Sequence, residues 1–166
     1  METTKQAVPE LAKRLGARLL MKGMRLATAE SCTGGWIAKV LTDMAGSSEW
    51  FDCAIVSYSN SAKKHFLKVP DGVLLDHGAV SENTVIAMLQ GLFLETPADA
   101  GISVSGIAGP GGGSEEKPVG TVWIAVGLRD QMVHTRKFLF EGDRNQVRLE
   151  AVAAALAALL ELVERG

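Results

Sequence analysis

The chain has little of what would staple it, metallate it or carry it to a membrane. Two cysteines, Cys32 and Cys53, occur in 166 residues. They lack the C-x-x-C or Cys/His spacing of a zinc site, so reduced buried thiols are expected. His65, His77 and His134 are scattered and add no ligand pattern, so neither a metal nor another cofactor is expected. Five prolines against 18 glycines point to tight backbone positions rather than disorder. A surplus of one charge is also missing. The formal net charge of −2 gives no electrostatic footprint for nucleic acid. No uninterrupted apolar run approaches the thickness of a bilayer, and charges interrupt the first 20 residues. Neither a membrane span nor a signal peptide is expected, and the chain reads as cytoplasmic.

What is present is ordinary globular material, 47% hydrophobic and 22% charged, enough for one domain over residues 1–166 that buries roughly two-thirds of its unfolded surface. Val8, Leu11, Leu15 and Leu19 recur at helical spacing, and Gly23 ends that helix. Leu26 to Ala29 reads as a short buried strand, followed by a helix with Trp36, Ile37, Val40 and Leu41 on its core face that ends near Gly46. Trp50 to Ser57 is a second strand; Ser59 or Asn60 then caps a short helix with Lys63 in its first turn. Pro70-Asp71-Gly72 reads as a turn, and Ser81 as the cap of a helix bearing Val85, Met88, Leu89, Leu92 and Phe93. Asp99 to Ser105 is a third strand. Glycines and prolines between Gly106 and Pro118 exclude regular structure. Val119 to Gly127 and Met132 to Phe140 form a hairpin, and Asp143 with Gln146 has the form of a capping box for a long last helix. This order predicts a three-layer α/β/α sandwich with a mixed, largely parallel sheet and an antiparallel hairpin.

Three loops, after Ala29, Ser57 and Ser105, converge at the carboxyl edge of such a sheet, where open α/β folds place ligands. The first brings Ser31 to the start of a helix, either as a cap or as a nucleophile beside unpaired N–H donors. No histidine lies in these loops, so the base for a serine nucleophile would be Lys63, made partly neutral by burial; otherwise Lys63 is a solvated neighbour of Lys64. Tyr58, the one tyrosine, either relays a proton or packs at the core margin. Glu30 either orients Lys63 or pairs with a surface cation. The glycine-rich loop has neither P-loop nor dinucleotide order; its amides suit a phosphate or carbonyl, or it is a surface hairpin. Arg144 either grips an anion through its planar fork or is solvated.

Taken together, T-A-E-S-C-T-G-G at 28–35, Y-S-N-x-x-K at 58–63, G-A-V-S-E at 78–82, S-G-I-A-G-P-x-G-G-S-E-E-K-P-V-G-T-V at 105–122 and G-D-R at 142–144 resemble the CinA C-terminal domain family over nearly the whole chain. There is no room for the larger amino-terminal domain of two-domain members, so the stand-alone form is implied. The resemblance implies hydrolysis of the carboxamide of nicotinamide mononucleotide to nicotinic acid mononucleotide and ammonia, in pyridine-nucleotide recycling, without metal or other cofactor. Carried onto this sequence, Ser31 is the nucleophile, Tyr58 and Lys63 activate it, and Ser105, Gly106, Gly109 and Arg144 line the nucleotide pocket. Donors near Thr33, Gly34 and Gly35 would hold the oxyanion. A thiol attack by Cys32 is the lesser alternative. The resemblance also implies a homodimer that binds a small pyridine nucleotide, not nucleic acid or membrane. The alternative from another class is a non-catalytic nucleotide-binding regulatory or partner module.

Overall fold

A computed structural model describes all residues, Met1–Gly166. Its elements follow the order α1 (Glu2–Lys22), β1 (Leu26–Glu30), α2 (Trp36–Thr42), a 3-10 turn (Ser47–Glu49), β2 (Phe51–Val56), α3 (Asn60–Leu67), α4 (Asp71–His77), α5 (Glu82–Glu95), β3 (Ala100–Gly106), β4 (Thr121–Leu128), β5 (His134–Leu139) and α6 (Arg144–Arg165). The sheet order is β2-β1-β3-β4-β5. β1 runs parallel to β2 and β3, whereas β4 is antiparallel to both β3 and β5. The three-layer sandwich with a mixed sheet is therefore present, with its antiparallel part reaching inward from the β4–β5 hairpin to β3.

Alternation along the strands assigns the two faces. Leu26, Ile102, Val104, Ile124 and Val126 join α1, α2 and α6 in the larger core, of 28 buried residues. Ala27, Ala29 and Ala125 face α5 in the smaller one, of 11. Small residues on that second face let α5 lie close, and the close approach continues outward: at Gly91 a Cβ would overlap the Leu67 carbonyl. Glycine there lets the end of α3 rest on α5, which fixes the helix that carries Lys63.

Serine and aspartate caps fall where the chain chemistry places them. Ser59, Ser81 and Asp143 accept from Ala62 N–H, Thr84 N–H and Gln146 N–H respectively. The capping box at Asp143 is only half made, because the Gln146 side chain donates to Glu150 instead. Pro70-Asp71-Gly72 is not a bare turn: Pro70 stands at the cap of α4, which starts at Asp71. α4 has no buried residue, so it lacks the apolar stripe that marks the other helices. Likewise α1 begins before Val8, on exposed residues that leave no periodic signal.

Candidate active site

The carboxyl ends of β1, β2 and β3 bring their loops together around a cavity of about 150 Å³. Ser31, Cys32, Tyr58, Lys63, Ser105 and Arg144 are among its walls, with Ala79 and Val80 closing one side and Gly106 and Ala108 another. A cavity of roughly this volume accepts one benzene-sized ring.

Ser31 follows the last residue of β1. Its N–H donates to Val104 O at 3.0 Å, which continues the parallel ladder one step past the strand and fixes the hydroxyl at the sheet edge. Lys63 reaches it from α3. The amine is essentially buried, at 1% exposure. Lys63 Nζ lies 2.9 Å from Ser31 Oγ, 2.8 Å from Ser57 O and 3.2 Å from Tyr58 O. All three neighbours are uncharged, so nothing repays the cost of burying an ammonium. Burial accordingly lowers the Lys63 pKa from its usual 10.5 to about 8. The geometry also suits the neutral amine: two N–H bonds go to the Ser57 and Tyr58 carbonyls, and the lone pair is left for the serine proton.

Tyr58 enters this cluster through its main chain. Its carbonyl accepts from Lys63, while its phenol, 60% exposed, accepts from Arg144 Nη2 at 3.0 Å. The expected contact between phenol and amine is replaced by a bridge across the cavity mouth. Arg144 Nη1 donates to Gly109 O at 2.7 Å, so one guanidinium ties the second loop to the glycine-rich loop. Gly109 has a φ of 81°, a left-handed conformation that glycine adopts without strain. Ser105 Oγ donates to Ala79 O at 2.7 Å and holds the 78–81 segment over the cavity.

Glu30 is in neither of its two expected places. Fully buried, it accepts from Thr28 and Thr33 hydroxyls at 3.2 and 2.7 Å and from Ile37 and Ala38 N–H at 3.0 Å each. It satisfies the first turn of α2, whose own cap residue, Gly35, has no side chain to do so. Thr33 is thus committed to Glu30. Gly34 N–H donates to Ser31 O, and Gly34 and Gly35 border a separate depression with Trp36, Lys39 and Arg148. The residue of this turn that joins Ser31 at the cavity is Cys32. Burial pushes the Cys32 thiol up to about 11, which keeps it protonated at neutral pH and disfavours attack through sulfur.

Sequence reading missed Ala79, Val80 and Ala108, which carry no reactive group, although all three fall inside the quoted motifs. It also missed Arg148, whose guanidinium donates to Cys32 O and Thr33 O. Arg148 stands one helical repeat, i+4, beyond Arg144 on α6, and that spacing was the available signal. No group of three or more His, Cys, Asp or Glu side chains is arranged to hold a metal ion. No helix is long and apolar enough to cross a membrane.

A three-layer α/β sandwich with a buried serine–lysine pair at the carboxyl ends of parallel strands defines the class: a small-molecule site at the strand edge of an open sheet. The particular family follows from comparison with known proteins. The CinA C-terminal domain model matches residues 8–163, and the chain belongs to that family. It is 49% identical over 156 residues to the nicotinamide-nucleotide amidohydrolase PncC of Escherichia coli strain K12, covering 94% of each chain. To the protein of the same name from Pseudomonas putida it is 46% identical, covering 93% of this chain and 96% of the relative. A CinA-like protein of Akkermansia muciniphila is 46% identical over 151 residues, which make up 36% of that longer relative. Among solved structures, a CinA superfamily protein from Klebsiella pneumoniae superposes with a TM-score of 0.92 at 40% identity, covering 96% of this chain and 99% of the other.

Proposed function

We propose that this chain is an amidohydrolase that converts nicotinamide mononucleotide to nicotinic acid mononucleotide and ammonia, with Ser31 as nucleophile and Lys63 as its base. The observation that carries the reading is the 2.9 Å approach of Lys63 Nζ to Ser31 Oγ inside a buried, carboxylate-free pocket. The relatives named as amidohydrolases, which match along nearly their whole length, supply the substrate.

Neutral Lys63 takes the Ser31 proton as Oγ attacks the carboxamide carbon. The resulting oxyanion meets backbone donors, for which Cys32 and Ala108 qualify: both border the cavity and neither N–H donates to another group of the chain. The Lys63 ammonium then passes its proton to the amine, the C–N bond breaks and ammonia leaves. Water attacks the acyl-serine, giving its proton to Lys63, and Ser31 takes that proton back as nicotinic acid mononucleotide departs. Tyr58 serves through its carbonyl, which orients the amine. The cavity takes the ring and its carboxamide, so the ribose phosphate extends to the mouth, where Arg144 keeps further donors free beyond the two in use. The reading includes a cytoplasmic homodimer, as the family resemblance implies; sedimentation equilibrium tests the dimer.

The test measures ammonia and nicotinic acid mononucleotide released from nicotinamide mononucleotide by metal-free protein. Equal amounts of the two are expected from wild type, and binding without turnover from Ser31→Ala. Binding by intact protein with no ammonia released would assign it instead to the class of nucleotide-binding modules.

A further inference from the structure

The turn that carries Ser31 is gripped from outside its cavity. Arg148 of α6 donates through Nε to Cys32 O and through Nη2 to Thr33 O, both at 3.1 Å. Its guanidinium lies 5.3 Å from the centre of the Trp36 ring, which forms a floor for it at the start of α2. Gly34, at φ 60°, leaves room for this approach, since a Cβ there would stand 3.3 Å from Arg148 Nη2. Arg148 lines the depression with Gly34, Gly35, Trp36 and Lys39, not the cavity that holds Ser31.

The hydrogen bonding of the turn is one-sided. Ser31 O accepts from Gly34 N–H, and Thr33 O accepts from Trp36 N–H as well as from Arg148. With Cys32 O also taken by Arg148, all three carbonyls are engaged. The N–H groups of Cys32 and Thr33 donate to no other group of the chain. A turn with its acceptors engaged and its donors open presents positive partial charge and favours an anion. A trans peptide points its N–H opposite its carbonyl, so gripping Cys32 O also fixes the direction of Thr33 N–H.

We propose that Arg148 is a positioning residue that holds the Ser31–Thr33 turn as an anion-binding nest whose donor at the cavity, Cys32 N–H, meets the tetrahedral intermediate. The proposal deepens the amidase reading and rests on it for the substrate. Arg148 acts through the turn, without touching reacting atoms. Its planar fork holds the Cys32 and Thr33 carbonyls at once and so fixes the two peptide planes that follow Cys32.

Steady-state kinetics on Arg148→Ala should show kcat lowered about 100-fold with KM within about twofold, the pattern of an interaction made only in the transition state. Arg148→Lys should recover part of the rate, because an ammonium keeps the charge without the fork. The depression is open at the surface, so millimolar guanidinium should restore Arg148→Ala where equal sodium chloride does not. A second readout is independent of the carboxamide: labelling of Ser31 by a fluorophosphonate, followed by mass spectrometry, should show the same loss and the same rescue. If Arg148→Ala fails to fold, Trp36→Leu removes the floor and should give a smaller loss in both assays. Wild-type rates in Arg148→Ala, or a loss that tracks melting temperature and ignores guanidinium, overturns the proposal. Arg148-dependent labelling by a protein that releases no ammonia would overturn the amidase reading and leave the nest standing.

Discussion

Two buried ionisable side chains, Glu30 next to the nucleophile in sequence and Lys63 reaching the nucleophile from α3, are accommodated in opposite ways. Glu30 closes β1 and is surrounded by four donors, two of them backbone N–H groups at the start of α2. Lys63 comes in from the opposite layer and finds only two carbonyls and a hydroxyl. The carboxyl group is fully hydrogen-bonded and is used to cap a helix terminus. The amine is denied a counter-ion and is pushed toward neutrality. Burial alone does not make a reactive group; burial with only uncharged acceptors does, and Glu30, beside the nucleophile, shows the alternative.

Exchanging the amine breaks this contrast most sharply. Lys63→Met should reduce turnover by about 10³-fold or more, in the upper range of what a general base contributes. It should also raise stability at neutral pH, because the unpaired buried charge is gone. Ammonia release and urea denaturation on one preparation test both halves, and a variant both inactive and destabilised would contradict the account of Lys63. In wild type, kcat should rise with pH and level off above about 8, since the neutral amine is the active form.

Glu30→Gln attacks the other member. One amide nitrogen would then face the N–H groups of Ile37 or Ala38 across 3.0 Å, donor against donor. A loss of about 3 kcal/mol is expected, the cost of leaving such groups unpaired in the interior. The urea midpoint measures it. Turnover per folded molecule should fall far less than in Lys63→Met.

A smaller effect appears in stability against pH. The folded Lys63 loses its proton near pH 8 whereas the unfolded chain keeps it to about 10.5. Between those values the unfolded state binds more protons, so stability rises with pH across that window. Cys32 pulls the other way above pH 9, because burial keeps its thiol protonated to about 11. The difference between wild type and Lys63→Met isolates the lysine. The stability advantage of the variant should shrink by roughly 1 kcal/mol per pH unit between pH 8 and 10.

How much of this was legible depends on what kind of signal each residue leaves. Caps at Ser59, Ser81 and Asp143 and the apolar stripes of α5 and α6 are local patterns, and the elements stand where those patterns place them. α4 has no fully buried residue and opens on Pro-Asp-Gly, so its sequence has the form of a turn. Ser31 and Lys63 could be paired from sequence because their loops follow neighbouring parallel strands. The destination of Glu30 was hidden, because a carboxylate that caps a helix from a strand depends on packing rather than spacing. Arg148 left one local trace, its i+4 spacing from Arg144, while its partners are two carbonyls more than a hundred positions away.

Tyr58 gives the finest test, since its two ends belong to different parts of the comparison. The carbonyl touches the buried amine, while the exposed phenol meets Arg144. Tyr58→Phe keeps the first contact and deletes the second. A proton relay through the phenol would make this substitution cost 10²-fold or more in kcat. The present geometry instead predicts kcat within about threefold, with the change falling on KM as Arg144 loses one charge-assisted hydrogen bond at the mouth. The acid limb of the pH profile should keep its midpoint near 8, because burial of the amine sets the Lys63 ionisation and phenylalanine leaves that burial in place. A shifted midpoint would place the phenol inside the proton path and return Tyr58 to the role its motif first implied.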